Sequence, residues 1–168
     1  MLKKVLVVMG SDSDLPVMAA CMRMLDDFAI PHDVRICSAH RSPELAAQMA
    51  RDAAGDGYGV MIAAAGLAAH LPGVLAAYTI LPVIGVPIKS GALAGQDALY
   101  AIVQMPAGIP VATVAIDGAA NAAILAARIL AVQDEDLQAR LYQYKQKLAD
   151  SVVERQKKLD EQLAKADG

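Results

Sequence analysis

Residues Val5–Met18 read VLVVMGSDSDLPVM: a β-branched apolar run, a glycine followed by four polar residues, then an apolar segment. Val5–Met9 predicts a buried strand, and Leu15, Met18, Met22 and Leu25, three and four apart, predict a helix that tolerates Pro16 in its first turn. A strand, a polar loop and a helix in that order open a βαβ crossover. The pattern recurs downstream, with further strands expected at Val34–Ile36, Val60–Ala63, Val83–Val86 and Val111–Ile116. Ser42-Pro43-Glu44 is expected to start the second helix, with Ser42 as its cap. Five alternations imply an α/β fold with a parallel sheet covered on both faces. Ligands of such sheets bind in the crevice beyond the strand carboxyl ends, so the polar loops should converge there.

The 168 residues are read as one domain, 1–168, with 56 % hydrophobic and 20 % charged residues. No uninterrupted apolar run reaches membrane-spanning length, so no membrane partner is expected. MLKKVLVV is read as lysines leading into the first strand, since an acidic loop follows at once. A net charge of −3 without a basic block offers no footprint for nucleic acid. With one Phe, no Trp and abundant alanine, close helix packing is expected. Cys21 and Cys37 suit a reducing, cytoplasmic location as unpaired buried residues. From Asp134 to about Lys165, Leu137, Leu141, Tyr144, Leu148 and Val152 keep a helical rhythm amid alternating charge. Such a helix, on the order of 45 Å long, exceeds the domain's width, so segment 134–168 is expected to pack on a neighbouring subunit. Its last ten residues are expected to bend or fray.

The strand ends carry the candidate chemistry. Gly10-Ser-Asp-Ser-Asp14 matches neither GxGxxG nor GxxxxGK[ST], which points to a ligand smaller than a dinucleotide or triphosphate. Serines beside a helix N-terminus can donate to phosphate and an aspartate can accept from a sugar diol, which suits a ribose monophosphate; by itself such a string more often caps a helix. Cys37-Ser-Ala-His-Arg-Ser-Pro43 offers Arg41 for a phosphate and His40 for proton transfer near neutral pH. Ala63-Ala-Ala-Gly-Leu-Ala-Ala-His-Leu-Pro-Gly73 offers mainly backbone, which can read a flat heterocycle while excluding water. Lys89-Ser-Gly-Ala-Leu-Ala-Gly95 and Gln104-Met-Pro-Ala-Gly-Ile-Pro-Val111 read as small-residue turns, with Lys89 read as a solvated lysine or, alternatively, as part of an anionic site. His32, His40 and His70 are dispersed and no metal-binding spacing occurs, so no metal is expected.

Taken together, MGSDSD, SAHRSP, AAHLPG, SGALAG, MPAGIP and ANAAILAARIL resemble the PurE family of de novo purine biosynthesis, in its order and spacing, through about Val132. The resemblance implies a flavodoxin-like three-layer αβα sandwich with a five-stranded parallel sheet, assembled as a homo-octamer with shared active sites. It implies a ribonucleotide substrate and no cofactor. Ser11, Ser13 and Asp14 would hold the ribose phosphate, with Ser38 and Arg41 on the phosphate. His40 would be the general acid/base. Gly66, His70 and Leu71 would surround the aminoimidazole, and MPAGIP would approach from a neighbouring subunit. The implied reaction moves a carboxyl group from an exocyclic amine to the adjacent ring carbon through bound carbon dioxide. A rival branch carboxylates the free amine with dissolved carbon dioxide and has a serine-asparagine pair where this chain reads Ala69-His70. Ala64 and Leu67 replace glycines usual in the family's third loop; a positive φ there would be resisted, most strongly by leucine.

Two other readings use the same residues. A relative that carboxylates a pyridine nucleotide would have an extra N-terminal region, not expected here. A non-catalytic ribonucleotide-binding or receiver-like module would fit the acidic first loop, but Ala65 stands where a receiver needs a phosphoacceptor aspartate.

Overall fold

A computed structural model describes residues 2–166. Five strands, β1 (Lys4–Met9), β2 (His32–Ile36), β3 (Tyr58–Gly66), β4 (Val83–Ile88) and β5 (Ala112–Thr113), form one sheet in the order β2-β1-β3-β4-β5. Every pairing is parallel. The helices are α1 (Leu15–Asp27), α2 (Pro43–Asp52), α3 (Leu71–Tyr78), α4 (Gln96–Val103), α5 (Ala119–Ala131) and α6 (Glu135–Ala166). The flavodoxin-like three-layer sandwich expected from the sequence is the observed fold.

Alternation along β1 divides the core in two. Val5, Val7 and Met9 pack with α1, α5 and the start of α6, while Leu6 and Val8 pack with α2, α3 and α4. A strand buried on both faces has no polar position to spare, which is why β1 reads as a continuous apolar run. Ala119, Ala122, Ala123, Ala126 and Ala127 are fully buried along α5, and their small side chains let α5 lie close to α1 and the sheet. Cys21 and Cys37 are free and buried, and burial pushes the Cys21 thiol up to about 12, making it inert packing.

Three details differ from the sequence reading. β5 is two residues long rather than Val111–Ile116. Its ladder with β4 ends at the Gly85–Thr113 pair, beyond which Val114 N–H reaches Gly85 O and Asp117 N–H reaches Pro87 O. Pro87 has no N–H to return, and Asp117 turns the chain with φ 56°. Ser42 precedes α2 but makes no capping bond; its hydroxyl donates to Ser38 O at 2.9 Å and accepts from Ser38 N–H. Finally, α6 continues as helix to Ala166 instead of fraying, with Gln156 bonding Asp160 and Lys157 pairing Glu154 along its surface; the end of the segment expected to fray, 167–168, lies outside the described residues.

The start of α6 is anchored by Asp134, which accepts from Leu137 N–H at 2.8 Å, and by Phe28 meeting Tyr144 edge-on. Leu137 is fully buried, but farther along the stripe emerges: Leu148, Val152, Leu159 and Leu163 are all exposed.

Candidate active site

The strand order reverses direction between β1 and β3, which opens a crevice at their carboxyl ends. A cavity of about 680 Å³ fills it, walled by the loops after β1, β2, β3 and β4. Ser11, Ser13, Asp14, Ser38, His40, Arg41, Gly66, His70 and Leu71 all line this one space, although they come from three separate loops.

The β1 loop forms a tight turn. Ser11 N–H donates to Asp14 Oδ2 at 3.2 Å and Ser13 N–H donates to Ser11 Oγ at 3.3 Å, closing a capping box around a single 3₁₀ turn, Asp12–Asp14. The capping alternative is therefore realised by the same residues that face the cavity. Asp14 is 6 % exposed, the one buried charged or polar residue among those described. Burial raises its carboxyl above the usual range, opposed by hydrogen bonds from the Ser11 and Gly10 backbone.

The β2 loop is held by Cys37 N–H bonding Met9 O. Ser38 Oγ accepts from Arg41 N–H at 3.2 Å and from Arg41 Nε at 3.5 Å. Both interactions use the oxygen's lone pairs, so the Ser38 proton stays available to a ligand. The guanidinium is held at its Nε edge on the cavity wall, and its two terminal nitrogens are left as donors of the kind that bind an anion.

His40 Nε2 lies 2.7 Å from His70 Nδ1, with the rings edge to face at 83°. One nitrogen must carry the shared proton while the other accepts it. Spacing along the chain gave no hint of this pair, since 30 residues separate its members. Among the described residues no group of three or more His, Cys, Asp or Glu is placed to hold a metal.

The β3 loop contributes surface and backbone. Gly66 packs so tightly that an added Cβ would come within 2.6 Å of Ser90 Oγ. Leu71 is buried at the start of α3 and lines the cavity. Leu67 has φ 53°, the left-handed region, which costs a leucine about 1–2 kcal/mol. The resistance expected at a positive φ is thus real at position 67, whereas Ala64 lies in regular strand.

Lys89 and Ser90 also line the cavity; the sequence reading weighed Lys89 for an anionic site but preferred a solvated lysine, and it missed Ser90. Asp117 Oδ1 accepts from Lys89 N–H at 2.8 Å and sets the path of this loop. Their position directly after β4 was the available signal, because every strand end on this side of the switch point faces the crevice. MPAGIP does not line the main cavity of its own chain. Met105 instead sits beside Gly73 in an adjoining groove shared with Ala39 and His70.

This architecture defines an α/β protein with hydroxyls, a guanidinium and a histidine pair gathered at a topological switch point. The chain belongs to the AIR carboxylase family, whose model matches residues 4–151, the PurE family of the sequence reading. It is 54 % identical over 155 residues to the N5-carboxyaminoimidazole ribonucleotide mutase of Pyrococcus horikoshii, covering 92 % of this chain and 88 % of that one. It is 51 % identical to the chloroplastic phosphoribosylaminoimidazole carboxylase of Vigna aconitifolia, covering 92 % of this chain but only 28 % of that longer protein. The crystal structure of Treponema denticola PurE superposes with a TM-score of 0.84 at 31 % identity, over 92 % of this chain and 97 % of that one.

Proposed function

We propose that the chain catalyses the mutase reaction named for its full-length relatives, converting N5-carboxyaminoimidazole ribonucleotide to the isomer carboxylated on the ring carbon. The observation that carries this reading is the convergence in one cavity of a phosphate-suited pole, a histidine pair and an apolar, backbone-lined wall. Ser11, Ser13 and Asp14 hold the ribose phosphate end, with Ser38 and Arg41 on the phosphate itself. Gly66, His70 and Leu71 surround the aminoimidazole.

The carbamate C–N bond breaks with its electron pair remaining on nitrogen, releasing carbon dioxide inside the cavity, and the nitrogen takes a proton. The neighbouring ring carbon then attacks the carbon dioxide and gives up its own proton. One proton is delivered and one recovered, so the reaction is a net isomerisation that a single acid/base can serve. His40 fills that role, being in the cavity and hydrogen-bonded to a second imidazole that can take or return a proton. Positioning and exclusion of water supply the rest, and no cofactor is required.

The functional unit is a cytoplasmic homo-octamer of single-domain subunits, 1–168. Its support is the apolar stripe of α6, which leaves its own domain near Leu148 and lies exposed at Val152, Leu159 and Leu163. Segment 134–168 packs on a neighbouring subunit, and the MPAGIP loop of one subunit approaches the cavity of another. Light scattering on the purified chain checks the assembly, and a monomer would reject it.

Steady-state turnover tests the reaction itself, using the carbamate ribonucleotide and, separately, the amine ribonucleotide with bicarbonate, both without added metal. Rapid conversion of the carbamate at low bicarbonate is expected. Turnover only of the amine, rising with dissolved carbon dioxide, would assign the chain to the carboxylase reaction.

A further inference from the structure

Two side chains that stay cationic at neutral pH line the cavity, Arg41 and Lys89, and the phosphate contacts use only the first. Arg41 belongs to the loop after β2, where its backbone N–H and Nε both donate to Ser38 Oγ of the same loop. Lys89 follows β4, and the strand order puts β1 and β3 between β2 and β4. At about 4.8 Å per strand the two roots are on the order of 14 Å apart, so the cations approach the cavity from opposite sides. The His40–His70 pair joins the loops after β2 and β3 and stands between them.

The backbone beneath Lys89 is fixed. Its N–H donates to Asp117 Oδ1 at 2.8 Å, while the N–H of Asp117, left-handed at φ 56°, donates to Pro87 O. The ammonium is not committed in the same way: among the described residues, no carboxylate oxygen lies within 4.0 Å of it. Asp14, the carboxylate lining the cavity, accepts from Ser11 N–H within its own loop. Lys89 is therefore available as a countercharge for an anion that the ligand itself brings.

The ribonucleotide proposed for this cavity is anionic at two ends. Its phosphate is one; the other is a carboxylate, carried on the exocyclic nitrogen before the transfer and on the ring carbon after it. The amine ribonucleotide carries the phosphate alone. We infer that Lys89 determines specificity for the carboxylated ribonucleotides, its ammonium pairing with their carboxylate while Arg41 holds the phosphate. The inference rests on the proposed carboxyl-transfer function. Loss of the carboxylate removes the partner of Lys89, so the cavity prefers the carboxylated forms to the amine by charge rather than by shape.

The test is calorimetric binding of two probes to the full chain: the amine ribonucleotide, and the product ribonucleotide carboxylated on the ring carbon. Wild-type protein binds the product more tightly. Lys89→Met keeps the length of the side chain and removes its charge. It weakens product binding by about tenfold, the scale of one charge-assisted hydrogen bond, and leaves amine binding within about twofold. Lys89→Arg restores the preference. The ratio of the two affinities separates this role from a structural one, since a damaged loop or fold would weaken both probes together. If Lys89→Met weakens both alike, or neither, or if the wild type shows no preference for the product, the inference is overturned while the proposed function stands. If the wild type binds neither ribonucleotide, the proposed function falls and this inference with it.

Discussion

The two halves of the cavity rim are built by different means. On the β1 and β2 side, polar side chains organise their own loops: Ser11 and Asp14 close a capping box, and Ser38 accepts twice from Arg41. On the β3 and β4 side, shape comes from close backbone approach at Gly66 and Gly91 and from a left-handed leucine. Within each loop of the first half, the side-chain hydrogen bonds span two to four residues. The second is held by contacts between loops more than twenty residues apart. Binding of the phosphate end and recognition of the carboxyl group should therefore respond to different substitutions.

The largest effect is expected where the halves meet. His40→Asn should lower kcat on the order of 10²- to 10⁴-fold, the range of a lost general acid/base, while ribonucleotide binding by calorimetry persists. Near-normal turnover would remove His40 from its role and leave the His70 contact without a catalytic meaning.

Within the charged half, Arg41→Ala should raise KM by roughly ten- to a hundredfold, as expected for a lost charge-assisted hydrogen bond, with kcat less affected. An unchanged KM would place the phosphate elsewhere in the cavity.

The backbone half is probed by Gly66→Ala. The added methyl would press on Ser90 Oγ, with Ile88 O at 3.4 Å behind it, and overpacking of this kind costs about 1–3 kcal/mol. Urea unfolding measures the loss; an unmoved midpoint would mean that the β4 loop yields and the two loops are not rigidly interlocked.

The smallest effect is electrostatic. Because burial raises the Asp14 carboxyl in the folded state, the folded protein binds more protons than the unfolded chain just above the ordinary aspartate value of 3.8. Stability must then fall as pH rises from 3.8 through the folded value. Asp33 works in the opposite sense below 3.8, since its bonds from Tyr58 and Lys4 lower its carboxyl and its contribution is lost as pH falls. Asp14→Asn should flatten the upper limb of a pH–stability curve and leave the lower one alone. If both limbs survive unaltered, Asp14 does not titrate differently on folding.

The same contrast explains what could be read from the chain. Strands β1 to β4 and helices α1 and α2 were legible because each carries its own period, and a buried parallel strand has no option but continuous apolar residues. β5 was overread because Val111–Ile116 has strand-like composition, while the limit is imposed by its neighbour, Pro87. Ser42 had the sequence of a cap, but the Ser38 backbone offered its hydroxyl a better partner. Ser90 was passed over, and Lys89 read as solvated in preference to an anionic site, because nothing in KSGALAG distinguishes a cavity wall from a plain turn.

By itself the sequence determined the alternation of elements, the sheet's parallel sense, and which loops carry hydroxyls, a guanidinium and imidazoles, because these follow from local periodicity and residue chemistry. Only the tertiary structure decided that His40 and His70 share a proton, that Asp14 is buried, and that a left-handed Leu67 lies against Gly91 of the β4 loop. Those facts depend on distances between segments far apart in the chain, set by the strand order and the packing of the helices, and no local pattern encodes them.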